Sequence, residues 1–229
     1  MDYTYRDIAG MIDHSLLNPT LTGRDLEDGC RMALGYECAS VCIMPYYLKR
    51  CGEILKGSAV KASTTIGFPH GGQATAIKIA ETVQALRDGG EELDMVVNIS
   101  KVLSEDWAYV AADIKAVIDV THAAGRKVKV ILENCYLQDR QKIRLCEICN
   151  ELGADWVKTS TGYGSGGVTD ADLILMRKHA AQRVQVKAAG GVRTLDRLLE
   201  VRALGVTRCG VSRTVEVLEE CKRRLGIGS

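Results

Sequence analysis

Histidine, proline and aromatic residues are sparse in this chain. Its 229 residues include four histidines, three prolines, two tryptophans and one phenylalanine. The histidines do not show the spacing of a zinc site, so a metal centre is not expected. No Pro-rich or low-complexity tract marks a linker, so residues 1–229 are expected to form a single domain. A long apolar run is also missing. Nothing approaches the roughly eighteen consecutive apolar residues that suggest a transmembrane helix, so no membrane partner is expected. The N-terminal MDYTYRDIAG lacks the basic-then-apolar pattern of a signal peptide, and a cytoplasmic location is expected. Excess charge is absent too. Thirty basic and 29 acidic residues leave a net charge of +1. Nothing electrostatic favours nucleic acid or an anionic surface as partner.

Cysteine is not scarce. Nine cysteines, an odd number, are scattered along the chain. That pattern fits reduced thiols better than a disulfide framework. Cys146 and Cys149 form a CxxC, but it lies in a helical pattern with no second pair nearby. Two small apolar side chains on a helix face account for it.

Eight short apolar stretches alternate with helical patterns. The strand-like stretches are Ile12 to Leu17, Ala39 to Met44, Lys61 to Phe68, Leu93 to Asn98, Lys127 to Glu133, Asp155 to Ser160, Val184 to Ala189 and Thr207 to Val211. Helices are predicted after Thr22, over 73–87, from Trp107 to beyond Thr121, over 139–152, after Thr169, after Thr194 and over 214–225. Trp107, Val110, Ile114, Val117 and Ile118 give the clearest helical face. Strict alternation implies parallel strands joined by crossover helices. Eight units in this length favour an α/β fold of the single (β/α)8, or TIM, barrel type. An open doubly wound sheet would carry GxGxxG after its first strand, and none is present there.

Period-two alternation sets Leu93, Met95, Val128 and Val130 toward the helices. It sets Asp94, Asn98, Lys129, Glu133, Lys158 and Lys187 toward the barrel interior. Buried charges must pair or hold a ligand. Lys129, near the start of its strand, fits an internal salt-bridge cluster. Lys158, at a C-terminal strand end in WVKTSTG, sits where barrel enzymes place their sites. A lysine nucleophile must be neutral, and an ordinary lysine titrates near ~10.4. Burial and a neighbouring cation both disfavour its ammonium form. Lys187, in VKAAGG on the next strand, would be that cation.

The last two strands run into glycine-bearing helix starts, AGGVRT and CGVSR. Loop amides and helix N-termini there suit a phosphate. Ser212 and Arg213 would add donors. Cys42 ends the second strand and is a candidate to face the site. His70 in FPHGG is a candidate for the barrel mouth or for a plain turn, and His14 for a structural role.

The motifs IDHSLLNPT, ASVCIMP, TTIGFPHG, ELDMVVNIS, KVKVILE, GADWVKTSTGYG, VKAAGGVRT and GVSR span nearly the whole chain. Together they resemble the deoxyribose-phosphate aldolases, a family of class I aldolases on the (β/α)8 barrel. The resemblance implies reversible cleavage of 2-deoxy-D-ribose 5-phosphate to acetaldehyde and D-glyceraldehyde 3-phosphate, without metal or cofactor. It implies Lys158 as the Schiff-base residue, Lys187 as its perturbing neighbour, Asp94 in a proton relay and Asp13 as the strand-one aspartate. It places phosphate at Gly162, Gly190, Gly191, Val192, Arg193, Gly210 and Ser212. A homodimer is compatible with it. The chain departs from the family at Arg213, where a serine is usual. There the guanidinium either joins the phosphate or turns away. A related aldolase acting on another sugar phosphate, and a catalytically silent phosphate-binding barrel, remain as alternatives.

Overall fold

The eight apolar stretches become eight parallel strands in a computed structural model that describes residues 2–227. The N-terminal half runs α1 (Tyr5–Ala9), β1 (Ile12–Leu16), α2 (Gly23–Gly35), β2 (Ser40–Ile43), α3 (Leu48–Leu55), β3 (Lys61–Ile66), α4 (Thr75–Arg87) and β4 (Glu92–Val96). Next come α5 (Ile99–Leu103), α6 (Trp107–Ala123), β5 (Lys127–Ile131) and α7 (Asp139–Leu152). The chain closes with β6 (Trp156–Lys158), α8 (Asp170–His179), β7 (Gln185–Ala188), α9 (Leu195–Ala203), β8 (Arg208–Val211) and α10 (Thr214–Leu225). Each strand pairs with the next, and β8 pairs with β1, so the sheet is a closed (β/α)8 barrel.

Local chemistry explains the element boundaries. Thr22 and Asp25 form a reciprocal capping box that starts α2. Thr169 and Thr194 accept the first free amides of α8 and α9. Gly153 ends α7 in the left-handed conformation that glycine adopts at no steric cost. The packing follows the two periods. Leu93, Met95, Val128 and Val130 leave the outer face of the sheet, and Val110, Ile114 and Val117 of α6 are buried with them in one core. The apolar core is therefore a shell between strands and helices, and the barrel interior is left to other residues.

Three helices were not expected. α1 and α5 are too short to show a period. α3 does carry one, with Leu48, Cys51 and Leu55 buried at helical spacing. It follows directly on the Pro45–Tyr47 turn and contains Gly52, which weakens the helical signal. Every strand is also shorter than its apolar stretch, and on β4 and β5 this takes a polar residue off the strand. β4 stops at Val96, so Asn98 lies beyond it and caps α5. β5 stops at Ile131, so Glu133 lies beyond it, in a left-handed conformation with φ 57°.

Candidate active site

Inward positions of the strands carry charge where barrels usually carry branched aliphatics. Register sets Asp94 beside Lys129 and Lys158 beside Lys187. The Asp94 carboxylate is fully buried and takes three amines. Lys129 Nζ donates to its Oδ1 at 2.9 Å, and Lys158 and Lys187 share its Oδ2 at 2.8 and 2.7 Å. Lys187 Nζ also lies 2.5 Å from Asp13 Oδ2. Arg208 Nε donates to Asp13 Oδ1 at 2.7 Å, and Arg208 Nη2 donates to Glu92 Oε2 at 2.7 Å. Lys129 Nζ meets the same Glu92 carboxylate at 2.6 Å. Trp156, itself buried, lies beneath Lys129 and Arg208, with its ring centroid 5.5 and 5.4 Å from them.

Above this cluster opens a cavity of about 490 Å3. Lys158, Lys187, Asp13 and Cys42 form its floor. Its walls come from the segments after β1, β6, β7 and β8. Gly162, Gly190, Gly191 and Gly210 line it, together with Val192, Arg193 and Ser212. Gly191 holds φ 112°, a region costly to other residues, and Gly190 holds φ 79°. The Gly190 carbonyl accepts from Val168 N at 2.8 Å, and a Cβ on the adjoining Gly167 would meet that oxygen at 2.0 Å. Only a backbone without side chains brings these two loops so close.

The two cavity lysines differ electrostatically. Burial opposes the ammonium form of both. For Lys187, the carboxylates of Asp13 and Asp94 overcome burial and raise its pKa. Lys158 has Asp94 alone and shares it. Burial, with the Lys187 charge beside it, wins there and lowers its pKa. Burial also resists ionisation of Asp94, but its three amines hold it well below the usual carboxylate range. Burial raises the Cys42 thiol, with the Asp94 charge acting the same way.

The other residues considered in the sequence fall inside and outside the cavity. Asp94 does not line the cavity; it lies behind the two amines. Arg213 is exposed, stands at the start of α10 and is not part of the cavity wall. His70 is exposed and outside the cavity. His14 is buried against Thr214, with Nδ1 2.9 Å from its hydroxyl, and burial lowers its pKa to about 4. Cys146 and Cys149 are buried on α7. Among the described residues no group of three or more His, Cys, Asp or Glu is placed to hold a metal ion.

Some residues of the site were not singled out in the sequence. Arg208 and Glu92 complete the ion cluster. Their signal was the same period-two parity that marks Asp94, extended one step back along β4 and onto β8. Glu133, which parity had set toward the interior, accepts from Thr161 N at 3.2 Å and from its hydroxyl, a contact the sequence did not indicate and one that fixes the loop after β6. Within that loop, Tyr163 donates to Leu17 O at 2.7 Å and packs edge-on against Phe68. No one-dimensional pattern connects residues so far apart in the chain.

Fold and site together define a class: a (β/α)8 barrel with an amine-floored cavity at the C-terminal ends of its strands. Residues 8–210 match the model of the DeoC/LacD family aldolases. The chain is 66% identical over 226 residues to deoxyribose-phosphate aldolase of Rhodopirellula baltica, covering 99% of this chain and 94% of that one. It is 44% identical to deoxyribose-phosphate aldolase of Thermococcus kodakarensis over 93% of this chain and 96% of the relative. The solved deoxyribose phosphate aldolase of Aeropyrum pernix, described as tetrameric, superposes with a TM-score of 0.88 at 30% identity, covering 96% of this chain and 92% of that one. The chain belongs to the DeoC/LacD aldolase family. It is an enzyme, a lyase of the aldolase type.

Proposed function

We propose that the protein, acting as a single domain, cleaves 2-deoxy-D-ribose 5-phosphate reversibly to acetaldehyde and D-glyceraldehyde 3-phosphate through an imine on Lys158. The observation that carries this reading is the asymmetry of the two cavity amines. Lys187 is held protonated between two carboxylates, whereas Lys158 faces the cavity with half of one and a lowered pKa.

The neutral Lys158 amine adds to the C1 aldehyde of the open-chain sugar. Loss of water gives an iminium. A base takes the proton of the C3 hydroxyl, the C2–C3 bond breaks, and its electron pair moves into the iminium to leave an enamine. Glyceraldehyde 3-phosphate departs. A proton added at C2 restores the iminium, and water releases acetaldehyde and the free amine. The iminium is the electron sink throughout. Asp94 accepts from both cavity amines and reaches the reacting atoms through them. It holds Lys187, and the two together form the relay that carries protons to and from the reacting atoms.

The substrate phosphate lies at the glycine walls. Gly162, Gly190, Gly191 and Gly210 line that end of the cavity with Ser212 and Arg193, and α9 begins just beyond Arg193, where the free amides of a helix start suit an anion. The same reading places the enzyme in deoxyribose phosphate breakdown in the cytoplasm, and a homo-oligomer is compatible with it. No helix is long and apolar enough to cross a membrane among the described residues.

Borohydride reduction in the presence of acetaldehyde, followed by peptide mapping, tests the nucleophile. One ethyl adduct on Lys158 is expected. An adduct confined to Lys187 or Lys129 would move the assignment. Turnover of deoxyribose 5-phosphate against other sugar phosphates tests the substrate.

A further inference from the structure

Beneath the cavity, six charged side chains close into a ring. It runs Arg208, Asp13, Lys187, Asp94, Lys129, Glu92 and back to Arg208, with a direct ion pair at every step. Three cations alternate with three carboxylates, so the ring is neutral by itself. Lys158 stands outside it. It is joined only through Asp94 Oδ2, an oxygen that Lys187 already occupies. A proton on Lys158 therefore adds a charge to a buried assembly that has no counter-charge to spare, and such a charge is costly.

We infer that this closed ring keeps the Lys158 amine unprotonated, and that Arg208 and Glu92 are positioning residues that set its charge count. The inference rests on Lys158 being the nucleophile. Neither Arg208 nor Glu92 lines the cavity, and neither is paired with Lys158. Both are buried, and Trp156 lies under Arg208. The choice of arginine matters, because a guanidinium does not give up its proton in a protein. The ring cannot then relieve itself by losing a proton at that corner.

Other strands add little charge around Lys158. β2 presents Cys42, whose thiol is kept neutral by burial, with Asp94 reinforcing it. β3 presents Ser63 and Thr65, which share the register of Glu92 and Asp94 and do not titrate. Asp13 comes from β1, Lys129 from β5, Lys187 from β7 and Arg208 from β8, all within the ring. Beyond β5, Glu133 is engaged with Thr161.

The test is the pH dependence of imine trapping on Lys158, read by peptide mapping after acetaldehyde and borohydride treatment. Glu92→Gln removes one negative charge and leaves the ring positive. Its trapping curve is expected to move to lower pH. Arg208→Met leaves the ring negative, and its curve is expected to move to higher pH. Each shift is expected to reach at least about half a pH unit, or roughly threefold in trapping at a fixed pH on the rising limb. The double variant Arg208→Met/Glu92→Gln restores neutrality and brings the curve back toward wild type. Arg208→Lys keeps it there. A purely structural role predicts lower activity in every variant with no opposed shifts. Curves that stay in place, or move in one direction for both single variants, overturn the inference while leaving Lys158 as nucleophile. If Arg208→Met does not fold, the near-isosteric Glu92→Gln and the double variant carry the sign. Absence of any wild-type adduct on Lys158 overturns the nucleophile assignment and the ring's role together.

Discussion

Two regions of this molecule bury lysines, and they differ in what the amine faces. Between α4 and α6, Lys78 is fully buried and donates to Asp113 Oδ2 at 2.5 Å and to Val96 O at 2.9 Å. Thr75 completes the arrangement by donating to Asp113 Oδ1 at 2.7 Å. Gly67, at φ 66°, lies so close that a Cβ there would come within 2.8 Å of Lys78 Cε. This lysine has a carboxylate to itself and is not among the residues lining the cavity above Lys158. It ties two helices to the end of β4. In the barrel, Lys158 has half of a carboxylate and an open cavity. Burial alone does not mark a reactive lysine. What sets Lys158 apart is an unequal division of counter-charge at a place that opens onto a cavity.

The largest expected effect comes from Lys158→Met, which should lower turnover by at least about a thousandfold, leave no borohydride-trapped adduct and leave the fold intact. Full activity in that variant would erase the distinction between the two regions. Lys187→Met comes next. Removing the neighbouring cation raises the Lys158 pKa, so the neutral fraction falls at neutral pH and the rising limb of the rate profile moves to higher pH. A loss of about ten- to hundredfold near neutrality, partly recovered under alkaline conditions, is expected in a steady-state pH profile. A limb that moves to lower pH would contradict the account of that pair.

Lys78→Met should do the reverse of Lys158→Met. It leaves Asp113 buried without its cation, at a cost of about 3–5 kcal/mol. Thermal denaturation should show a fall of roughly ten degrees. Trapping on Lys158 in the folded fraction should be unchanged. Loss of trapping at full stability would show that the helix-side lysine takes part in the chemistry. The smallest effect is expected for Arg213→Ser, since that side chain is exposed and apart from the cavity wall. The kcat/KM for deoxyribose 5-phosphate should stay within about twofold of the starting value.

The fold was legible because it depends on periods that are local. Alternation in LDMVV and KVKVI marks the strands, threonine caps mark the helices, and eight repeats close the barrel. Lys158 and Lys187 were legible for the same reason, since strand parity and equivalent heights on adjacent strands make them neighbours. Asn98 and Glu133 show the limit of parity. Parity carried past Val96 and Ile131, where the strands end, sets both toward the interior, whereas one caps α5 and the other anchors the loop after β6. Arg213 shows a second limit. A sequence places it after β8, but the backbone at the start of α10 decides where its side chain goes.

The sequence by itself determined the alternating elements, the barrel they form, the two adjacent lysines and the family resemblance, because each depends on spacing along one strand or between successive ones. Only the tertiary structure decided how the charges divide among themselves. Arg208 meets Asp13 from the opposite end of the chain and Glu92 from its middle, Lys78 finds Asp113 across two helices, and Asp94 is shared by three amines. Those partitions depend on distances of a few ångströms between residues far apart in sequence, and they set Lys158, the proposed nucleophile, apart from the lysines paired in full.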